Sequence, residues 1–161
     1  GTAFLAVGCR LGWTIAHAAS VSGSPGVLRW IHSFTELGAD LLKLPASNGD
    51  TIAHVAAYHN GGDVLEWIAN TPELGAALLK KSQRDGRTIA HYAAARGHTD
   101  VLRWIEGQSV LGRRLVFSSD CNGRSILDVA FAQGQPRVWN WATHVISTFT
   151  AQCIGDAEPA D

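Results

Sequence analysis

The sequence contains no methionine, not even at residue 1. A chain without a start residue reads as a processed product, a fragment or a trimmed record, with any targeting segment already gone. Long apolar runs are missing too. None approaches the roughly 18 residues that a membrane-spanning helix needs, so no membrane span is expected. Charge is scarce. Asp, Glu, Lys and Arg make up 17% of the chain, against about 25% in ordinary soluble domains. That shortage, beside six tryptophans, suggests that some surface is covered by something else. The net charge of −1 supplies no broad field toward nucleic acid or an anionic bilayer. Cysteine is limited to Cys9, Cys121 and Cys153, an odd set with no shared spacing. No disulfide framework is expected, and an intracellular, reducing compartment is favoured, either cytoplasmic or organellar after loss of a targeting segment. The motifs of common chemistry are absent as well: no Gly-rich phosphate loop, HExxH, CxxC or GxSxG. No catalytic residue, metal or cofactor is expected, and the chain does not read as an enzyme.

What the sequence has in plenty is itself. "LGWTIAHAASVSGSPGVLRWI", "NGDTIAHVAAYHNGGDVLEWI" and "DGRTIAHYAAARGHTDVLRWI" start at Leu11, Asn48 and Asp85. Gly12, Gly49, Gly86 and Gly123 are 37 residues apart each time, without insertion. The same interval joins Thr14, Thr51, Thr88 and Ser125, then His17, His54, His91 and Asp128, and also Trp30, Trp67, Trp104 and Trp141. A fixed period of this size marks a stack of units in which each buries its apolar face only against its neighbours. At 161 residues such a stack fits one domain.

Within a unit the residues predict two helices. Asp85-Gly86 is a turn signal, Thr88 a helix cap, and "IAHYAAA" a run of high helix propensity. Gly23, Asn60, Gly97 and Gly134 stand just after that helix, where the left-handed conformation of a helix stop suits them. Asp63 and Asp100, or Pro25 and Pro136, suit the start of a second helix carrying Val-Leu-x-Trp-Ile. The stretch after it, "TPELGAALLKKSQ" in the second unit, reads as one short helical turn plus an extended loop.

These residues resemble the ankyrin repeat, a β-turn plus two helices of about 33 residues opening on T-P-L-H-x-A. Thr-Ile-Ala-His-x-Ala occurs here three times, and the resemblance covers residues 12–146. The longer period and the replacement of the motif's Pro and Leu by Ile and Ala are departures from it. The resemblance implies an all-α solenoid with projecting turns, in one domain spanning 1–150. Its repeats would run 12–48, 49–85, 86–122 and a capping 123–150. Residues 1–11 would be the tail of an earlier unit or a simple lead-in. Asn140, Thr143, His144 and Ser147 would make the polar outer side of the cap, and 151–161 a mobile acidic tail.

The histidines occupy equivalent places on helices packed roughly 8–10 Å apart. Zinc holds its nitrogen ligands at about 2 Å, so His17, His54 and His91 cannot share one ion. Similar repeats imply instead that each histidine bonds its own turn and links adjacent units. Trp30, Trp67, Trp104 and Trp141 fall on an apolar stripe at helical spacing and are expected in one stacked core layer, Trp67 covered from both sides.

Similar proteins bind partner proteins through the turn tips and the inner face of the first helices. Those registers hold Trp13 in the first unit, and Asp50, Tyr58 and His59 in the second. They hold Arg84, Arg87 and Arg96 in the third and Arg124 in the fourth. Trp13 is either an interface anchor or a contact of the upstream segment. The turn-tip residues Asp50, Arg87 and Arg124 suit solvent. The arginines are either ordinary solvated charges or a basic face for an acidic protein segment. The reading that follows is a protein-binding module. Two alternatives stand beside it: a structural subunit packed into a larger assembly, organellar and membrane-associated ones included, and the ankyrin portion of a longer enzyme or channel.

Overall fold

A computed structural model describes residues 12–34, 38–80 and 84–155. These residues are all-α, with no strand among them. The helices in chain order are α1 Ile15–Val21, α2 Gly26–His32, α3 Gly38–Lys43, α4 Ile52–Tyr58, α5 Gly62–Ala69 and α6 Gly75–Lys80. They continue with α7 Ile89–Arg96, α8 Thr99–Glu106, α9 Ser109–Val116, α10 Ile126–Ala132 and α11 Pro136–Gly155.

The first helix of each sequence unit packs on the next: α1 on α4, α4 on α7, α7 on α10. Each also packs on the second helix of its own unit, as α4 does on α5 and α7 on α8. Alanine makes the first of these approaches close, because Ala53, Ala56, Ala57, Ala90, Ala93 and Ala94 are fully buried. Leu28, Leu65 and Leu102 recur at the 37-residue interval and are inaccessible to solvent, with Ile31, Ile68 and Ile105 beside them. The core is therefore a periodic ribbon of small and branched residues running between the two helix rows.

The periodicity reaches the backbone. Gly12, Gly49, Gly86 and Gly123 all have positive φ, as do Gly23, Gly97 and Gly134 at the helix stops. Asn60 takes that second register with φ 61°, the amide residue standing in where the other units use glycine. At Gly86 the demand is double. Its φ is 76°, and a side chain there would meet the Cys121 backbone nitrogen at 2.7 Å.

Three expectations change. The stretch after each second helix is a helix in its own right: α3, α6 and α9, not one turn and a loop. Packing is the reason, since Leu41, Leu42, Leu78, Leu79, Leu115 and Val116 bury against the core. Gly38 at the start of α3 and Gly112 within α9 let these helices lie hard against α2 and α8, where an added Cβ would strike the carbonyls of Ile31 and Ile105. The tryptophan register is not a buried layer. Trp67, Trp104 and Trp141 are half-buried and pack against the core from outside, while Trp30 is 56% exposed and leans edge-on against Phe34. Finally, α11 runs through the expected boundary at 150 to Gly155, because no glycine or proline interrupts it after Pro136. Residues 1–11 and the rest of the acidic tail, 156–161, lie outside the described residues.

Candidate binding face

The three histidines hold the turn tips to the first helices. In α1 the Thr14 N–H donates to His17 Nδ1 at 3.1 Å, and Thr14 Oγ1 lies 2.9 Å from the same atom. An Nδ1 that accepts a main-chain N–H carries no proton, so the hydrogen sits on Nε2. His17 Nε2 donates it to the Asp50 carbonyl at 3.1 Å, one unit further on. His91 repeats this arrangement with Thr88 and reaches the Arg124 carbonyl at 3.1 Å. His54 makes the same bonds to Thr51 and is fully buried. Burial lowers the pKa of His17 and His91, outweighing the backbone hydrogen bond and nearby carboxylates that favour the charged form. In the last unit Asp128 takes over the local half of the role, accepting from Ser125 N–H at 2.8 Å and Ser125 Oγ at 2.7 Å. Those bonds lower its pKa.

Further links between units escaped the sequence, two of them at one register. His98 Nε2 donates to the Tyr58 carbonyl at 2.9 Å, and Gln135, one period later, approaches the Ala95 carbonyl at 3.5 Å. Neither residue stands in the repeated motif, so no periodic signal announced them.

The turn tips expected to meet solvent behave differently from one unit to the next. Asp50 is only 7% exposed. Its Oδ2 accepts from Asn48 Nδ2 at 2.6 Å, and the Tyr92 hydroxyl also donates toward the carboxylate. Burial raises the Asp50 pKa more than these bonds lower it. Tyr92 is pushed up as well, first by burial and then by the charges of Asp50 and Asp85.

Arg87 and Arg124 are not free charges. Arg124 Nε and Nη2 each lie 2.8 Å from Asp120 Oδ2, and Arg87 Nε lies 3.4 Å from Asp85 and 3.9 Å from Asp120. Asp120 also accepts the N–H groups of Asn122 and Arg124 at 2.9 Å each. Burial would raise its pKa, but these hydrogen bonds and the Arg124 charge outweigh it and hold the carboxyl at about 2. Two arginines and two aspartates thus cancel where a basic face was expected. Arg84 is exposed and forms no ion pair among the described residues. Arg96 is exposed too, with its guanidinium 4.8 Å from the centre of the Tyr58 ring.

Four of the sequence candidates do come together. Trp13, Asp50, Tyr58 and His59 line a pocket of about 250 Å³, completed by Asn48, Val55 and Tyr92. Tyr58 stands edge-on to His59, with ring centroids 5.1 Å apart, and edge-on to Tyr92 at 6.0 Å. Trp13 stacks at 27° on His17, 6.1 Å away. Among the described residues no three His, Cys, Asp or Glu side chains are grouped to hold a metal ion, and no helix is long and apolar enough to cross a membrane. No protein-family model matches the chain, and no curated protein matches it.

Proposed function

We propose that the chain is an ankyrin-like solenoid of four repeats that binds a segment of a partner protein, with no catalytic chemistry of its own. The binding surface would be the turn tips and the ends of the first helices, from Trp13 through Tyr58 and His59 to Arg96. The observation that carries the reading is a division of labour between registers. Most residues that recur every 37 positions (the Thr–His pairs, Ala16, Ala53 and Ala90, Leu28, Leu65 and Leu102) are buried, the tryptophans at the margin excepted. Residues that differ between copies line one pocket and its surroundings. A surface that varies on a repeated frame serves recognition rather than folding.

Carboxylates of the segment would meet Arg96 and Arg84, the arginines not already joined to Asp85 or Asp120. A random peptide library displayed on phage and selected on the purified chain tests this. Selected segments should bind, and Arg96→Glu should weaken them at least about tenfold with the helical circular dichroism unchanged. Selection of no binding segment overturns the reading. So does binding indifferent to Trp13→Ala, Tyr58→Ala and Arg96→Glu alike.

A second reading, a subunit packed into a larger assembly, draws on the two ends of the helix rows. Phe131 is 80% exposed and with Trp139 lines an apolar groove between α10 and α11. At the other end Ile15, Val27 and Trp30 are exposed. The mass of the native particle separates the readings: a fixed-stoichiometry complex favours the assembly, a free chain the module.

A further inference from the structure

Asp50 occupies the register that holds Arg87 and Arg124 in the next two units. There the arginines neutralise Asp85 and Asp120. In the second unit a carboxylate replaces the guanidinium, and among the described residues no Lys or Arg pairs with it. It is nevertheless buried; Asn48 and Tyr92 donate to the carboxylate, but its Oδ1 has no close hydrogen-bond partner. A desolvated carboxylate is costly unless a cation or several donors meet it.

The walls around it favour a cation. Trp13, Tyr58, Tyr92 and His59 are among the residues that line the pocket, and aromatic rings attract ammonium and guanidinium groups within about 6 Å of the ring centre. Tyr58 already holds one such group, the Arg96 guanidinium, 4.8 Å from its ring centre. An anion would be repelled by Asp50, and a neutral apolar group would leave its oxygen unmet. The volume of about 250 Å³ is below the range of roughly 300–1,000 Å³ usual for drug-sized ligands, and suits a single side chain.

We propose that this pocket receives the cationic head of a lysine or arginine from the bound protein segment. Asp50 pairs with the charge, while the rings of Trp13, Tyr58 and Tyr92 enclose the aliphatic stem. The proposal rests on the reading of the chain as a segment-binding module and names the chemistry of one anchor. It also amends the purely acidic segment that the sequence suggested, since the partner would present both signs of charge.

The test is an NMR titration of the ¹⁵N-labelled chain with three capped amino acids: Nα-acetyl-lysine methylamide, the arginine counterpart and the neutral norleucine counterpart. Binding of either cation should move the Trp13 indole N–H and the Tyr58 and Tyr92 amides saturably, at least about tenfold more tightly than norleucine. Asp50→Asn keeps the size of the side chain and should remove that preference, and Trp13→Ala should weaken both cations. Equal binding of norleucine, an unchanged preference in Asp50→Asn, or no shifts with any probe overturns the pocket. The selected segments separate this failure from that of the module. If they bind but tolerate Gln at every Lys and Arg, the pocket assignment falls and the module stands. If the capped cations enter while no segment is ever selected, the pocket stands and the module falls.

Discussion

Proton placement decides what His17 and His91 can do. Each Nδ1 accepts a main-chain N–H, and each Nε2 donates to a carbonyl 33 residues further along, so only the neutral ring satisfies both ends. Their folded pKa values are lowered from the ordinary 6.5. Above that value both folded and unfolded chains are neutral at these rings, and their contribution is fully present. Below it the unfolded chain takes up protons first, so stability falls as pH drops from 6.5 toward the folded values. Asp120, held at about 2 against an ordinary 3.8, loses its contribution in the same direction but lower, between those two values. Urea unfolding across pH should therefore show a first decline beginning near 6.5, and His91→Gln should flatten part of it. His91→Ala should cost about 1–3 kcal/mol, because it leaves the Thr88 N–H and the Arg124 carbonyl unmet. Stability unchanged by that substitution would contradict the link. The Thr–His spacing made these residues legible in the sequence. The burial of Asp50 was not legible, because its cause is Asn48 and Tyr92 closing over it, and Tyr92 stands where the other units have Ala18, Val55 and Val129.

Among the elements, the first helices were the most legible, since a capping residue and a left-handed stop agreed in every unit and an alanine run in the first three. The second helices were legible in position but not in burial. Their apolar stripe runs through Leu28, Leu65 and Leu102, and the tryptophan two residues on sits at its margin. Leu65→Ala should accordingly cost about 2–5 kcal/mol, whereas Trp67→Ala, at a half-buried site, should cost less than the roughly 3–5 kcal/mol of a fully buried aromatic. Urea denaturation of the two variants compares them directly, and a larger loss for Trp67 would put the tryptophan back in the core. The third helices were legible only as a short helical turn because six to eight residues carry too few apolar positions for a clear period, and they extend only where their leucines find the core. Turns between elements are equally strict. Gly86→Ala forces a side chain to adopt φ 76° against the Cys121 nitrogen, and should destabilise by about 1–3 kcal/mol. Gly123→Ala has the same φ strain but open space around it, and should cost less in the same assay.

Over the whole molecule, contacts run between neighbours in the chain order of the units, so stability should be graded along its length. The helices α4, α5, α7 and α8 have neighbours on both sides and carry most of the fully buried residues. Their amides should be the slowest to exchange with deuterium, while α1, α2 and the outer half of α11 exchange first. Uniform protection from α1 to α11 would instead mean a single all-or-none unit. The 37-residue interval made this order legible from the start. The charge map was not, because Arg87 and Arg124 look free until Asp85 and Asp120 fold against them. The forward reach of the histidines has a consequence for how such a chain can change over generations. The rings of His17 and His91 each grip a carbonyl, a group that every amino acid supplies, and so they are indifferent to the side chain borne by the residue they grip. Asp50 and Arg124 have opposite charge, yet both complete the same link. As far as this link is concerned, mutation at these places leaves the frame intact, and a lineage can try new side chains there, one residue at a time.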